Sequence, residues 1–240
     1  MTAPASNFAA TRWTVVAQAK GGDTAAQAAL SELGAAYYAP VVAFLRSRSG
    51  NEDAAREQAH AFFARVLEGG SLGGADPARG RFRSYLLGAV KHFLGDERDR
   101  ANTEKRGSGI EPVPFDAHAT DSGLGVSAPV ASETELAFDR QWALIIIARA
   151  LEVVATELRE AGKGAHFDAL KPWLTGENPA LSQAETARTL GMSEGATKVA
   201  IHRLRQRFRE TVKAEIAQTV RDAADVEDEL RHLLAVLVAH

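Results

Sequence analysis

Lys198, His202, Arg203, Arg205, Arg207 and Arg209 crowd a stretch in which Glu210 is the sole acid between residues 198 and 213. Ammonium and guanidinium groups in such a row can pair with guanine edges or with phosphates. That chemistry needs a rigid support, and the stretch LSQAETARTLGMSEGATKVAIHRLRQRFRE, residues 181–210, supplies one. Ser182 and Glu185 form an S-x-x-E capping box, which predicts a helix running to Leu190. Gly191 follows where a helix end needs a residue tolerant of positive φ. Ser193 is a good N-cap for a second helix, with Glu194 in its first turn. Thr197, Ile201, Leu204 and Phe208 then recur at helical spacing. Two helices joined by a short glycine turn predict a helix-turn-helix, whose second helix offers its N-terminal half to base edges. The plainer alternative is a surface hairpin with a solvated basic face.

A second basic stretch, RFRSYLLGAVKHFLGDERDR (residues 81–100), combines cations with aromatic groups. Phe82, Leu86, Ala89, Val90 and Phe93 share one helical face. Arg81, Arg83, Lys91, Arg98 and Arg100 supply charge, with Tyr85 and His92 between them. Base stacking on aromatic rings and cation pairing with the backbone is the chemistry of single-strand binding. A core helix with snorkelling arginines is the other reading.

The chain has 240 residues, 45% of them hydrophobic, and no Cys. It can bury substantial cores, and it excludes disulfides and zinc–thiolate sites. That composition suits a reducing cytoplasm, where the chain is expected. No apolar run approaches the length of a membrane span, so no membrane insertion is expected. The seven histidines are scattered, and HExxH, G-x-S-x-G and P-loop patterns are absent. No catalytic activity, metal or cofactor is therefore expected.

The net charge of −3 conceals segregation. Residues 107–135 hold five acids and no base and join two mildly basic blocks, and residues 218–240, with five acids and two bases, follow the second. A net-acidic chain can bind nucleic acid where its positive charge is local. The expected fold is all-α. It has two helical domains, residues 11–106 and 136–217, joined by an acidic linker of Gly, Ser, Ala and Pro over 107–135. An acidic helical extension follows over 218–240. In the first domain Thr11 could cap a short helix carrying Trp13, Val15 and Val16; a second begins after Asp23, and Pro40 opens a third segment. Ser49-Gly50-Asn51 marks a turn before a helix ending in Phe62, Phe63, Val66 and Leu67. Residues 68–80, rich in Gly, form a connector. In the second domain Phe138, Trp142, Ile145, Ile146, Ala148, Leu151 and Val154 predict a long amphipathic helix, and Pro172 predicts a short or kinked one after it. The extension ends in Leu230, Leu233, Leu234, Leu237 and Val238. These leucines pack on the chain's own helices or bind a partner. Packed over the basic recognition helix, they would be autoinhibitory.

Together the two blocks resemble a bacterial RNA polymerase sigma factor of the extracytoplasmic-function type, over about residues 11–215. LSQAETARTLGMSEGATKVAIHRLRQR resembles the family's −35 helix-turn-helix without a gap. Phe82-Arg83-Ser84-Tyr85-Leu86 resembles its −10 pattern Phe-x-x-Trp/Tyr-Leu, and Asp96 matches a recurrent Asp further on. The resemblance implies a protein that binds core RNA polymerase and promoter DNA. It places −35 duplex contacts at Lys198, Val199, His202, Arg203, Arg205 and Arg207. It places −10 strand contacts at Arg81, Arg83, Tyr85, Lys91 and His92, and core polymerase contacts at Glu57, His60 and Phe63. The linker would thread through the polymerase.

One stretch departs from the pattern. Where the family commonly reads Asp-Ala-Glu-Asp-Leu-x-Gln, this chain has Ala54-Ala55-Arg56-Glu57-Gln58-Ala59-His60. A like charge at an interface costs affinity. Either core affinity is low, or the polymerase surface has changed to match. A third outcome is conditional activity, with negative charge restored by a partner or by a phosphoryl group from a regulatory kinase. An anti-sigma factor is the other partner class that the resemblance admits. The rival function is a sigma-like regulator that binds DNA or sequesters a protein without productive polymerase binding.

Overall fold

The computed structural model describes residues 19, 24–69, 75, 81–106, 132–175, 182–220, 222 and 224–238. The fold is all-α, with no strand among the described residues. The expected N-terminal helix around Trp13, most of the 68–80 connector and the linker over 107–131 lie outside the described residues. No described helix is long and apolar enough to cross a membrane.

The helices fall into two compact units. One comprises residues up to Ala143 together with Ala217–His240, and the other Leu144–Ile216. The pattern-based domain start at residue 136 thus lies inside the first unit, because the N-terminal part of the helix Glu133–Glu160 packs there. The tail belongs to that unit as well.

In the first unit, α1 (Thr24–Ser49) runs through Pro40 without ending. The expected break does not occur, although proline removes a helical hydrogen bond. Pro40 is buried, and so are its neighbours Ala36, Tyr37, Val41, Phe44 and Leu45. Apolar burial on this scale offsets one lost bond. The helix stops at Gly50, whose φ of 68° suits glycine and whose N–H donates to the Arg46 carbonyl. Asn51 Oδ1 then accepts from the amides of Asp53 and Ala54 and caps α2 (Glu52–Gly69).

Helix α3 (Phe82–Arg106) buries the face formed by Phe82, Leu86, Ala89, Val90 and Phe93. Phe82 meets Tyr37 of α1 edge-on at 5.1 Å, and Phe93 meets Phe62 of α2 at 5.7 Å. Phe138 and Trp142, at the start of α4 (Glu133–Glu160), complete this core. The last helix, α9 (Asp225–Val238), contributes Leu233 and Val236. Leu234 and Val238 remain exposed.

In the second unit, the rest of α4 packs with α5 (Gly164–Leu170) and α6 (Pro172–Thr175). Pro172 opens α6, so the one short or kinked helix expected here is divided into two. The helices α7 (Gln183–Thr189) and α8 (Glu194–Ala217) follow. Val154, Ala155, Phe167, Leu170, Ile201 and Leu204 form the core, with Leu158, Trp173 and Leu190 against it.

Candidate nucleic-acid interface

The turn between α7 and α8 is built by local hydrogen bonds. Ser182 N donates to Glu185 Oε2 at 2.8 Å, and Glu185 N donates to Ser182 Oγ at 3.3 Å. The serine hydroxyl and backbone bonds hold the Glu185 carboxyl below its ordinary pKa. Gly191 sits at φ 63°, a conformation costly for a residue with a Cβ. Met192 N reaches back to the Ala187 carbonyl at 2.9 Å and closes the end of α7. Ser193 Oγ accepts from Ala196 N at 3.2 Å and starts α8.

On α8, Thr197, Ile201 and Leu204 point into the core. The opposite side is fixed by that choice. With about 3.6 residues per turn, Lys198, His202 and Arg209 align in one row, with Val199 and Arg203 in the next. All five are exposed, Val199 to 49%. Lys198, His202, Arg203 and Arg209 make no ion pair among the described residues. Val199 and Arg203 also border a groove of ≈ 720 Å³ whose walls include Leu158, Phe167 and Met192.

Arg205 and Arg207 behave differently. Arg205 donates from Nε and Nη2 to the Trp173 carbonyl at 3.1 and 3.0 Å, tying α8 to α6. Arg207 forks onto Glu157 of α4, with Nε 2.9 Å from Oε2 and Nη2 on Oε1. That hydrogen-bonded pair raises the Arg207 pKa against the opposing effect of burial. These two cations are engaged in holding α8 to its neighbours.

The cations of α3 are more fully occupied. Arg83 is only 7% exposed, and Glu229 of α9 is 0% exposed. Arg83 Nε donates to Glu229 Oε1 at 2.5 Å, and Nη2 lies 3.3 Å from Oε2. Arg83 Nη1 donates to Asp139 Oδ1 at 2.6 Å, and the guanidinium lies 5.2 Å from the Trp142 ring centroid. Asp139 Oδ2 is 2.8 Å from His232 Nε2. Arg81 Nε approaches Glu229 Oε2 at 2.9 Å from the solvent side, with its side chain 34% exposed. Burial opposes the charge of Arg83, but the Glu229 and Asp139 carboxylates more than restore it and raise its pKa. Burial likewise opposes ionisation of Asp139. The hydrogen bond to His232 and the charge of Arg83 outweigh it and hold the carboxyl below the usual range.

Lys91 pairs with Glu135 of α4, which lowers the Glu135 pKa. His92 Nδ1 lies 3.4 Å from Asp96 Oδ1, while Asp96 Oδ2 accepts from Arg65 Nη2 at 2.7 Å. Asp96 thus bridges α2 and α3. Tyr85 is half-buried beside Phe82, and burial pushes its hydroxyl pKa up. The expected strand-binding cations therefore have partners inside the first unit, and Arg83 does not reach the surface.

On α2, Ala55 and Ala59 are buried, which turns Asp53, Arg56, Glu57 and His60 outward. Arg56 pairs with Glu52 at 3.1 Å, and Glu52 also meets Arg46 at 3.2 Å. His60 stacks on Tyr38 and shares a 2.8 Å hydrogen bond with its hydroxyl. Phe63 is half-buried between Tyr38 and Phe62.

Sequence reasoning missed Asp139, Glu229 and His232. A signal existed for Glu229: it stands four residues before Leu233 and seven before Val236, on the apolar face of the tail helix. An acid at such a position needs a buried cation. No family model, curated protein or solved structure matches this chain.

Proposed function

We propose that the chain is a transcription initiation factor of the sigma type, which binds core RNA polymerase and directs it to promoters. In this reading the second unit is a helix-turn-helix domain that reads duplex −35 DNA. Lys198, His202 and Arg203 meet phosphates or base edges, and Val199 meets a thymine methyl. The observation that supports it best is α7, the Gly191 turn and α8, with cations on the exposed N-terminal half of the second helix that make no ion pair among the described residues. Arg205 and Arg207 position that helix from behind. The first unit engages the polymerase through the outer face of α2, with Glu57, His60 and Phe63, and takes the −10 strand at α3.

The face of α2 favours a second reading, a sigma-like regulator that does not bind polymerase productively. Arg56 stands in the middle of that face. Moreover, α2 contains no Ser, Thr or Tyr, so no hydroxyl on this helix can take a phosphoryl group to restore negative charge. Promoter-directed transcription with purified core polymerase, beside a core-binding titration, separates the two. Specific transcripts support the first reading. A folded protein that neither binds core nor yields transcripts supports the second.

A further inference from the structure

We propose that α9 is an autoinhibitory latch on the first unit, in which the Glu229 carboxylate fills the arginine fork that would otherwise take a phosphate of single-stranded DNA. The proposal rests on the reading of α3 as the strand-binding helix.

A guanidinium accepts carboxylate and phosphate in the same bidentate geometry. Glu229 uses both oxygens on Arg83, and one of them also meets Arg81. It therefore neutralises the two cations at the start of α3, and a DNA strand could reach them only by displacing it. The docking is of a kind that can be displaced. In α9 only Leu233 and Val236 are buried apolar residues; the other buried residue is Glu229 itself. Val226, Leu230 and Leu237 are only half-buried, and the specific contacts around Glu229 are polar: His232 on Asp139, and Arg140 Nε on the Val236 carbonyl at 3.3 Å. Buried charges recover their hydration on release, so an ion-paired seat costs less to open than an apolar one of equal area.

The test compares the full chain with Glu229→Gln, which removes the charge but keeps the shape, and Asp228→Asn. Asp228 is exposed and pairs with Arg231 on its own helix, so Asp228→Asn changes net charge equally without touching the fork. Binding of a fluorescent oligothymidine strand is followed by anisotropy over a range of salt, and opening of α9 by hydrogen exchange. Glu229→Gln should tighten strand binding by about tenfold or more, the factor expected when the competent state is a minor one. The one phosphate taken by the vacated fork should steepen the salt dependence of log K by about 0.7, the value for a phosphate on a single strand. Asp228→Asn should do neither.

Equal gains in both variants overturn the latch, and so does faster exchange of α9 without any gain in affinity. If Glu229→Gln fails to fold, His232→Ala removes only the Asp139 contact and should shift binding in the same direction by less. Faster α9 exchange in that variant at unchanged affinity again overturns the proposal. Core-polymerase transcription with the same preparations separates the two levels. Transcription without strand binding by any variant sinks the latch alone. Loss of transcription, core binding and strand binding together sinks the sigma reading as well.

Discussion

Arg83 and Glu229 lie 146 residues apart in the chain, yet Nε and Oε1 are 2.5 Å apart in the fold. Both are buried, and the two-point pair makes up in part for the water each has lost. Asp139 and the Trp142 ring complete the enclosure of the guanidinium.

Removing one partner should therefore be costly. Arg83→Met takes the shared guanidinium from two buried carboxylates, leaving Glu229 with Arg81 and Asp139 with His232, and should lose about 3 kcal/mol in urea unfolding. Arg83→Met combined with Glu229→Leu should recover part of that loss, because an apolar pair replaces a charged one while Asp139 keeps only His232. A double variant no more stable than the single would mean that the enclosure does not depend on this pair.

Acid should loosen the same cluster. The folded-state pKa of Asp139 is lowered, so its contribution to stability is present above the unfolded value of about 3.9 and is lost as pH falls through the folded one. The groups facing it are Arg83 and His232, with Glu229 on the other side of the guanidinium. Unfolding midpoints followed downward from pH 5 should fall more steeply for the native chain than for Asp139→Asn. Parallel curves would remove Asp139 from the account.

The α8 cations should divide by their contacts. Lys198→Ala and Arg203→Ala should each weaken duplex binding and reduce its salt slope by about 0.9, the value for one B-DNA phosphate. Arg207→Ala should leave the slope unchanged and cost at most about 1 kcal/mol of stability, because its pair with Glu157 is half exposed. Filter binding across salt, with thermal melts alongside, measures both. A reduced slope for Arg207→Ala would place that residue on DNA.

Arg56→Glu should raise affinity for core polymerase. It replaces the one positive charge in the middle of the outer face of α2 and leaves Glu52 paired with Arg46 alone. A titration showing no gain would count against α2 as the polymerase-binding surface.

What could be read from the sequence was local. Phe82, Leu86, Ala89, Val90 and Phe93 share a face by spacing alone, and all are buried. Ser182, Glu185, Gly191 and Ser193 carry their geometry in residue type, since capping and positive φ need only near neighbours. Pro172 likewise announces a helix start. Pro40 misleads because a local rule is overridden by burial around it. Arg83 was read as a surface cation for a different reason. Its fate depends on Asp139, 56 residues later, and on Glu229 in the last helix. Nothing within a helical turn of Arg83 reveals either one. Arg205 escaped in the same way, because its partner is a backbone carbonyl that has no sequence signature.

Chain separation also sets an order in time. A ribosome adds about 5–20 residues per second, so the 146 residues between Arg83 and Glu229 take roughly 7–30 s to synthesise. Asp139 is made 56 residues into that interval, and Glu229 ends it. Each newly made first unit therefore passes through a period of seconds in which its arginine has one carboxylate and not yet the other, before the last helix is available to close over it.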